Sequence, residues 1–260
     1  MLLCTAQTFK APLQFSTQGV YRLMNLKLDA HVKVYDALHE LEKNYPENKK
    51  ADGDLQIGLS HQVISMKAQS RWNLIARIVA FVMSYHFHES FMQRAEKMGD
   101  KLDFLGVQYY TRPLAGRNGL KIVDSIANKN KHNPHGWMVD GMHYRFDPQG
   151  ILPVLTEVSS RIEKPLLVTE IGTAGTDNNR KEQYYKIAIK AMRAAQDRGI
   201  RLIGALFWTL FPNLEWQHGY DPNTNFGILD SNSNEKTPGF YFLQQANLKT
   251  FYQQLVGAAP

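Results

Sequence analysis

The sequence has a single cysteine, Cys4, so it can form neither an internal disulfide nor a cysteine-based metal cluster. No apolar run approaches the ~20 residues that cross a bilayer, and no membrane partner is expected. The N-terminus lacks a charged segment followed by an apolar core. It does not read as a signal peptide, and a cytoplasmic location is expected. Charge of one sign is also scarce. The net charge is +6, carried by scattered lysines and arginines, which reads as a solvated surface and not as a nucleic-acid module. With 43% hydrophobic and 21% charged residues, the chain is neither disordered nor collagen-like. Its 260 residues can bury a large core.

The most informative stretch is Lys164 to Gly172, KPLLVTEIG. Leu166, Leu167, Val168 and Thr169 follow a proline and run into Glu170, which reads as a buried parallel strand ending in an acid. Ligands collect at the carboxyl ends of such strands. Glu170 is therefore either a working carboxylate or a residue that caps a loop.

Around this strand the chain alternates. Val20, Met24, Leu28, His31, Tyr35, Leu38 and Leu41 mark one face of a helix, with His31 expected as a hydrogen-bonded core histidine. Residues 1–19 read as irregular. Leu55–Leu59 reads as a strand, 68–98 as a helical zone interrupted near Ser84–Ser90, and Asp103–Thr111 as a second strand. A long loop over 112–146 follows, of the kind that is functional or mobile. Pro148–Ile162 is expected as a helix, as is the segment through Tyr184, Ile187, Ala191 and Ala195, closed by Gly199. Leu202–Leu210 reads as a fourth strand and Pro238–Val256 as a last helix. The length allows one α/β domain or two small ones, and such alternation predicts a parallel sheet with helices outside it.

Three strand ends carry polar and aromatic groups: Gln108 and Tyr110, then Glu170, then Trp208 with Glu215 and Trp216 beyond it. In a β/α barrel they would converge on one mouth. Carboxylates for hydroxyls and indoles for the apolar face of a pyranose suit a sugar. A single tryptophan at such a place is more often core. The N-L-E-W cluster in a polar loop favours ligand contact.

At these motifs the sequence resembles the family 1 glycoside hydrolases, the β-glucosidase type. VTEIG resembles their T-E-N-G strand end, and DFLGVQYYT their D-F-x-G-x-N-Y-Y-T strand. FWTLFPNLEWQHGYDPNTNFGIL resembles their W-S-L-x-D-N-x-E-W stretch, and RFDPQGI their Y-P-E-G-L helix start. The resemblance runs from about residue 20 to the end. It implies the TIM-type (β/α)8 barrel and a retaining mechanism without metal or organic cofactor. Glu170 matches the nucleophile and Tyr110 the phenol that orients it. Glu215 and Trp216 match the pair that holds outer hydroxyls of the glycone. Trp208 matches the indole beneath the ring, and Phe226 an aromatic of the same pocket. The implied substrate is a β-glucoside or β-galactoside.

The sequence departs from the pattern in several places. Gln108 stands where the family has Asn, Ile171 replaces the Asn after the nucleophile, and Pro212 replaces an Asp. Tyr144 or a neighbour stands near a family Trp on the leaving-group side. No N-E-P, the motif of the family's acid/base glutamate, occurs. The expectation is therefore the second half of a barrel, strands five to eight, as one partial domain over 1–260. Glu40, Glu42 and Glu47 are unconvincing substitutes for the acid. Two classes remain: a β-glycosidase completed by an N-terminal half-barrel, or a sugar-binding remnant. Strands five and eight would lack neighbours, inviting self-association through their edges. His86, His88 and Glu89 do not share a helix face, and Asp221, Asn223 and Asn225 imitate a calcium loop imperfectly, so no metal is expected.

Overall fold

A computed structural model of the chain describes residues 17–45, 55–115, 122–123, 141–142, 144–215, 218–219, 221–231 and 240–242. Its centre is a parallel sheet of four strands in the order β1 (Gly58–Gln62), β3 (Phe104–Tyr109), β6 (Leu166–Ile171) and β7 (Leu202–Phe207). Helices lie on one face: α1 (Thr17–Asn44), α3 (Ser90–Glu96), α4 (Ile151–Ser159) and α5 (Asn178–Asp197). Alternation decides which side chains meet them. Leu59, Leu105, Val107, Tyr109, Leu166 and Val168 join Phe91, Met92, Leu155, Tyr184 and Ala188 in one buried core.

A satellite layer sits beside this sheet. The helix α2 (Leu74–Ser84) packs on the short strands β2 (Lys67–Ala68) and β4 (Leu114–Ala115), with β5 (Ile122–Val123) beyond. Its core is small: Met66, Ala76, Ala80 and Ala115. A hairpin of β8 (Leu229–Ser231) and β9 (Phe240–Phe242) follows the main sheet.

Many sequence expectations hold and others are corrected: the helical zone begins at Leu74, with Ala68 in β2; the loop expected over 112–146 contains β4 and β5; and residues 1–16 of the segment read as irregular lie outside the described residues. The helix α1 begins at Thr17, and His31 is buried with Nε2 2.7 Å from the Lys101 carbonyl. The first strand starts three residues later than Leu55. The Leu55 N–H is taken by Glu42 Oε1 and that of Ile57 by Asp103 Oδ2, so neither enters a strand ladder. The interruption in the helical zone is a π turn, Tyr85–Glu89, that keeps the helix running. Its His86 meets the Tyr21 hydroxyl, and Ser90 Oγ donates to the His86 carbonyl. The last helix is corrected in part. Phe240–Phe242 is a strand paired with Leu229–Ser231, and residues 243–256 lie outside the described residues. Gly199, at φ +82°, ends α5.

The two outer strands of the sheet each pair on one side only among the described residues. Leu202, Ala205 and Phe207 of β7 pack on the core, whereas Ile203 and Leu206 are more than half exposed.

Candidate active site

The strand β6 is written so that strict alternation would send Glu170 the wrong way. Leu166 and Val168 face the helices, so residue 170 should face them too. The pairing shows why it does not. Val107 pairs with Val168, but Gln108 pairs with Glu170, skipping Thr169; against β7, the register also breaks between Val168 and Ile171. A bulge at Thr169–Glu170 turns both side chains to the face opposite the helices and returns Ile171 to the core.

Gly106 makes this possible. A Cβ there would lie 2.8 Å from Thr169 Cγ2 and 3.0 Å from Ser60 Cα. Without one, the Thr169 and Ser60 hydroxyls meet at 2.6 Å across β3. Gly172 plays a similar part at the strand end, where a Cβ would come within 2.1 Å of the Trp208 carbonyl oxygen. That close approach brings the ends of β6 and β7 together, and the Trp208 N–H donates to the Ile171 carbonyl. The Trp208–Thr209 peptide is cis.

On this face Gln108, Tyr110, Glu170, Trp208, Glu215 and Phe226 assemble. Gln108 Nε2 donates to Glu170 Oε1 at 2.6 Å, and the Tyr110 hydroxyl donates to Glu170 Oε2 at 2.6 Å. Each carboxylate oxygen thus has one donor, which fixes the plane of the group. The longer amide of Gln108 is turned onto the carboxylate. Trp208 Nε1 lies 3.4 Å from Glu215 Oε1. Glu215 is buried, and a tight bridge to Gly219 holds its backbone. Phe226 is 2% exposed and meets the Tyr110 ring edge-on at 5.6 Å. Tyr144 lies 6.0 Å from the same ring. Trp216 and Glu47 lie outside the described residues.

Burial pushes the Tyr110 phenol far above its ordinary pKa, and its bond to Glu170 pushes the same way. Tyr110 is therefore a neutral donor at any working pH. Burial also raises the Glu215 carboxyl; hydrogen bonds from Asn213 and Trp208 pull it back, and the charge of Glu170 adds to the rise. Glu170 and Glu215 therefore lie close enough to feel each other. Glu42 is spent on the Leu55 N–H before β1 begins, at the opposite edge of the sheet from these strand ends, and Glu40 is exposed on α1. Among the described residues no three metal-ligating side chains gather at one place.

A supporting network behind the site was not legible beforehand. Asp147, fully buried, accepts from Arg112 Nε at 2.7 Å and Nη2 at 2.9 Å, and from Arg145 Nη2 at 2.8 Å. The Tyr109 hydroxyl donates to the Asp147 carbonyl at 2.6 Å. The network clamps the segment after Tyr110 to the start of α4. Lys181, buried on α5, donates to the Gly227 carbonyl at 2.9 Å and so pins the loop beside Phe226. The charged residues inside YYTRP and RFDP were the available signal for the first of these.

Comparison with known proteins gives one consistent picture. The family description Glycosyl hydrolase family 1 matches residues 67–256. The chloroplastic beta-glucosidase-like SFR2 of Oryza sativa subsp. japonica is 28% identical over 86% of this chain and 32% of its own length. The galactolipid galactosyltransferase SFR2 of Arabidopsis thaliana is 26% identical over 81% of this chain and 30% of its own. The beta-galactosidase of Saccharolobus solfataricus is 24% identical over 86% and 45%. In fold, the chain superposes on the beta-glucosidase of Pyrococcus furiosus with a TM-score of 0.74 at 20% identity, covering 95% of this chain and 49% of that one. The chain thus spans a third to a half of the length of these relatives.

Proposed function

The chain belongs to glycosyl hydrolase family 1, and we propose that it carries the nucleophile and the sugar-binding groups of a retaining β-glycosidase acting on β-glucosides or β-galactosides. The observation that carries this reading is Glu170, held by Gln108 and Tyr110 with Glu215 and Trp208 alongside. A carboxylate fixed in plane can attack the anomeric carbon along one line. The glycosidic C–O bond breaks, the leaving oxygen takes its electron pair, and a glycosyl ester forms on Glu170. Tyr110 keeps the carboxylate oriented and, being neutral, stabilises its negative charge until it is spent. Glu215 accepts hydroxyls of the glycone, and Trp208 offers an indole face.

A retaining cycle needs a second carboxyl about 5 Å away, first as acid and then as base. Glu215 is engaged by Trp208 and Asn213. In this reading the acid comes from the other half of a barrel, in a preceding segment or a second chain. A second reading is a sugar-binding chain without turnover, which would use the same Glu215 and Trp208 contacts.

The test compares an alkyl with an activated aryl β-glucoside. An acidic phenol leaves unprotonated, whereas an alkoxide without its acid should leave ~10²–10⁴-fold more slowly. Aryl turnover that Glu170→Gln abolishes supports the first reading. Sugar binding with no turnover of either substrate supports the second. Robust, Glu170-dependent turnover of the alkyl substrate would place an acid within this chain. Products should be scored for transfer to sugar hydroxyls as well as to water, since the relative from Arabidopsis thaliana carries a galactosyltransferase name.

A further inference from the structure

We propose that the outer face of α2 is a docking surface for a membrane that carries anionic lipid, on which the chain lies without crossing. The helix has two apolar sides. Ala76 and Ala80 are buried against Met66 and Ala115, with Val79 and Met83 packed beside them. The other side carries Leu74, Ile75, Ile78, Phe81 and Val82, at helical steps of one, three and four, and continues to Tyr85. All six are exposed, Phe81 at 72%, and Trp72 just before the helix is 82% exposed. Contiguous apolar surface of this kind marks a protein or membrane contact.

The charge around the face decides between occupants. Arg71, just before the helix, and Arg77, on it, are exposed beside it. No aspartate or glutamate occurs between Asp54 and Glu89. The Arg71 guanidinium lies 4.7 Å over the Trp72 ring. A second copy packed by two-fold symmetry would bring like charges together around an apolar centre. An anionic lipid surface supplies the opposite charge at the rim and an acyl layer for the centre. Trp72 and Tyr85 stand at the two ends of the apolar stretch, as aromatic side chains do at a bilayer interface. Among the described residues no helix is long and apolar enough to span a membrane, so contact is interfacial. This departs from the expectation of no membrane partner, which rested on the lack of a spanning segment.

The test is co-sedimentation of the full chain with vesicles of phosphatidylcholine alone or with about one third phosphatidylglycerol. The expected result is binding to the anionic vesicles, weakened by salt. Ile78→Glu with Phe81→Glu should lower that binding by roughly tenfold or more. Both side chains are exposed, so the circular dichroism spectrum should not change. Arg71→Gln with Arg77→Gln should lower binding several-fold. Three results would overturn the proposal: no sedimentation with either vesicle, equal binding by wild type and the Ile78→Glu, Phe81→Glu variant, or a wild-type dimer without vesicle binding that this variant converts to monomer.

Discussion

The strands β6 and β7 are similar as text and different as structure. LLVTEI and LIGALF are both short, apolar and bounded by turn signals. In β6, Leu166, Val168 and Ile171 are fully buried between neighbours on both sides. In β7, Ile203 and Leu206 are 58% and 57% exposed, and β6 is the one neighbour among the described residues. Apolar composition therefore says that a strand expects cover; it does not say that the cover is present. The polar site follows the same division. The groups anchored on β3 and β6 are locked by short bonds to Glu170, whereas beyond β7 the Trp208–Glu215 contact is longer.

The sharpest test of this contrast uses one residue type at two places. Leu166→Ala should cost ~2–5 kcal/mol, because a fully buried leucine leaves a cavity. Leu206→Ala should cost under ~0.5 kcal/mol if its side chain meets water. Urea unfolding of both variants measures the difference. An equal cost would mean that β7 is covered in solution, by another segment or another chain.

Tyr110→Phe removes a hydrogen bond to a charged group, worth ~1.5–3 kcal/mol. Turnover of the activated aryl glucoside should fall about 10–100-fold. Sugar affinity should change less, since Glu215 and Trp208 remain. A loss confined to affinity would show that Tyr110 does not support Glu170 in turnover.

Gly106→Ala probes the bulge. The new methyl meets Thr169 Cγ2 and Ser60 Cα, so destabilisation of ~1–3 kcal/mol is expected, with a further loss of turnover as Glu170 shifts. The same change at Gly204, where a Cβ would meet only Leu167 Cδ1 at 3.2 Å, should be milder. Comparable penalties would show that the centre of the sheet is no tighter than its side.

The smallest effect concerns His88, buried in the helical layer with Nε2 3.5 Å from Glu157 Oε1. Burial lowers its pKa below 6.5, against the pull of Glu157 and Glu89. The unfolded chain then binds the extra proton first, so stability falls as pH drops from about 6.5 toward the lowered value. His88→Gln should flatten that part of the profile in thermal melts at pH 5 to 7. An unchanged slope would assign it to another group.

Much of the fold was legible. Helical spacing placed α1 and α5, the apolar runs placed β3, β6 and β7, and the strand-end motifs placed Tyr110, Glu170, Trp208 and Glu215 on one edge. The errors come from partners that a local pattern does not announce: the Glu42 and Asp103 side chains take the N–H groups before β1, and the backbone of Leu229–Ser231 pairs with Phe240–Phe242. The Asp147 cluster escaped notice because residues 35 positions apart in sequence meet only after β3 and α4 pack.

By itself the sequence determined which residues can do chemistry, and in which order along the chain they arrive, because residue type and spacing are local properties. Only the tertiary structure decided which way Glu170 points. By alternation alone it belongs with Leu166 and Val168 among the helices. It reaches Gln108 and Tyr110 because two neighbouring strands slip register at Thr169, and Gly106 leaves room for that threonine to cross to Ser60. A strand's facing is a property of its pairing, and pairing is made between segments that the chain keeps far apart.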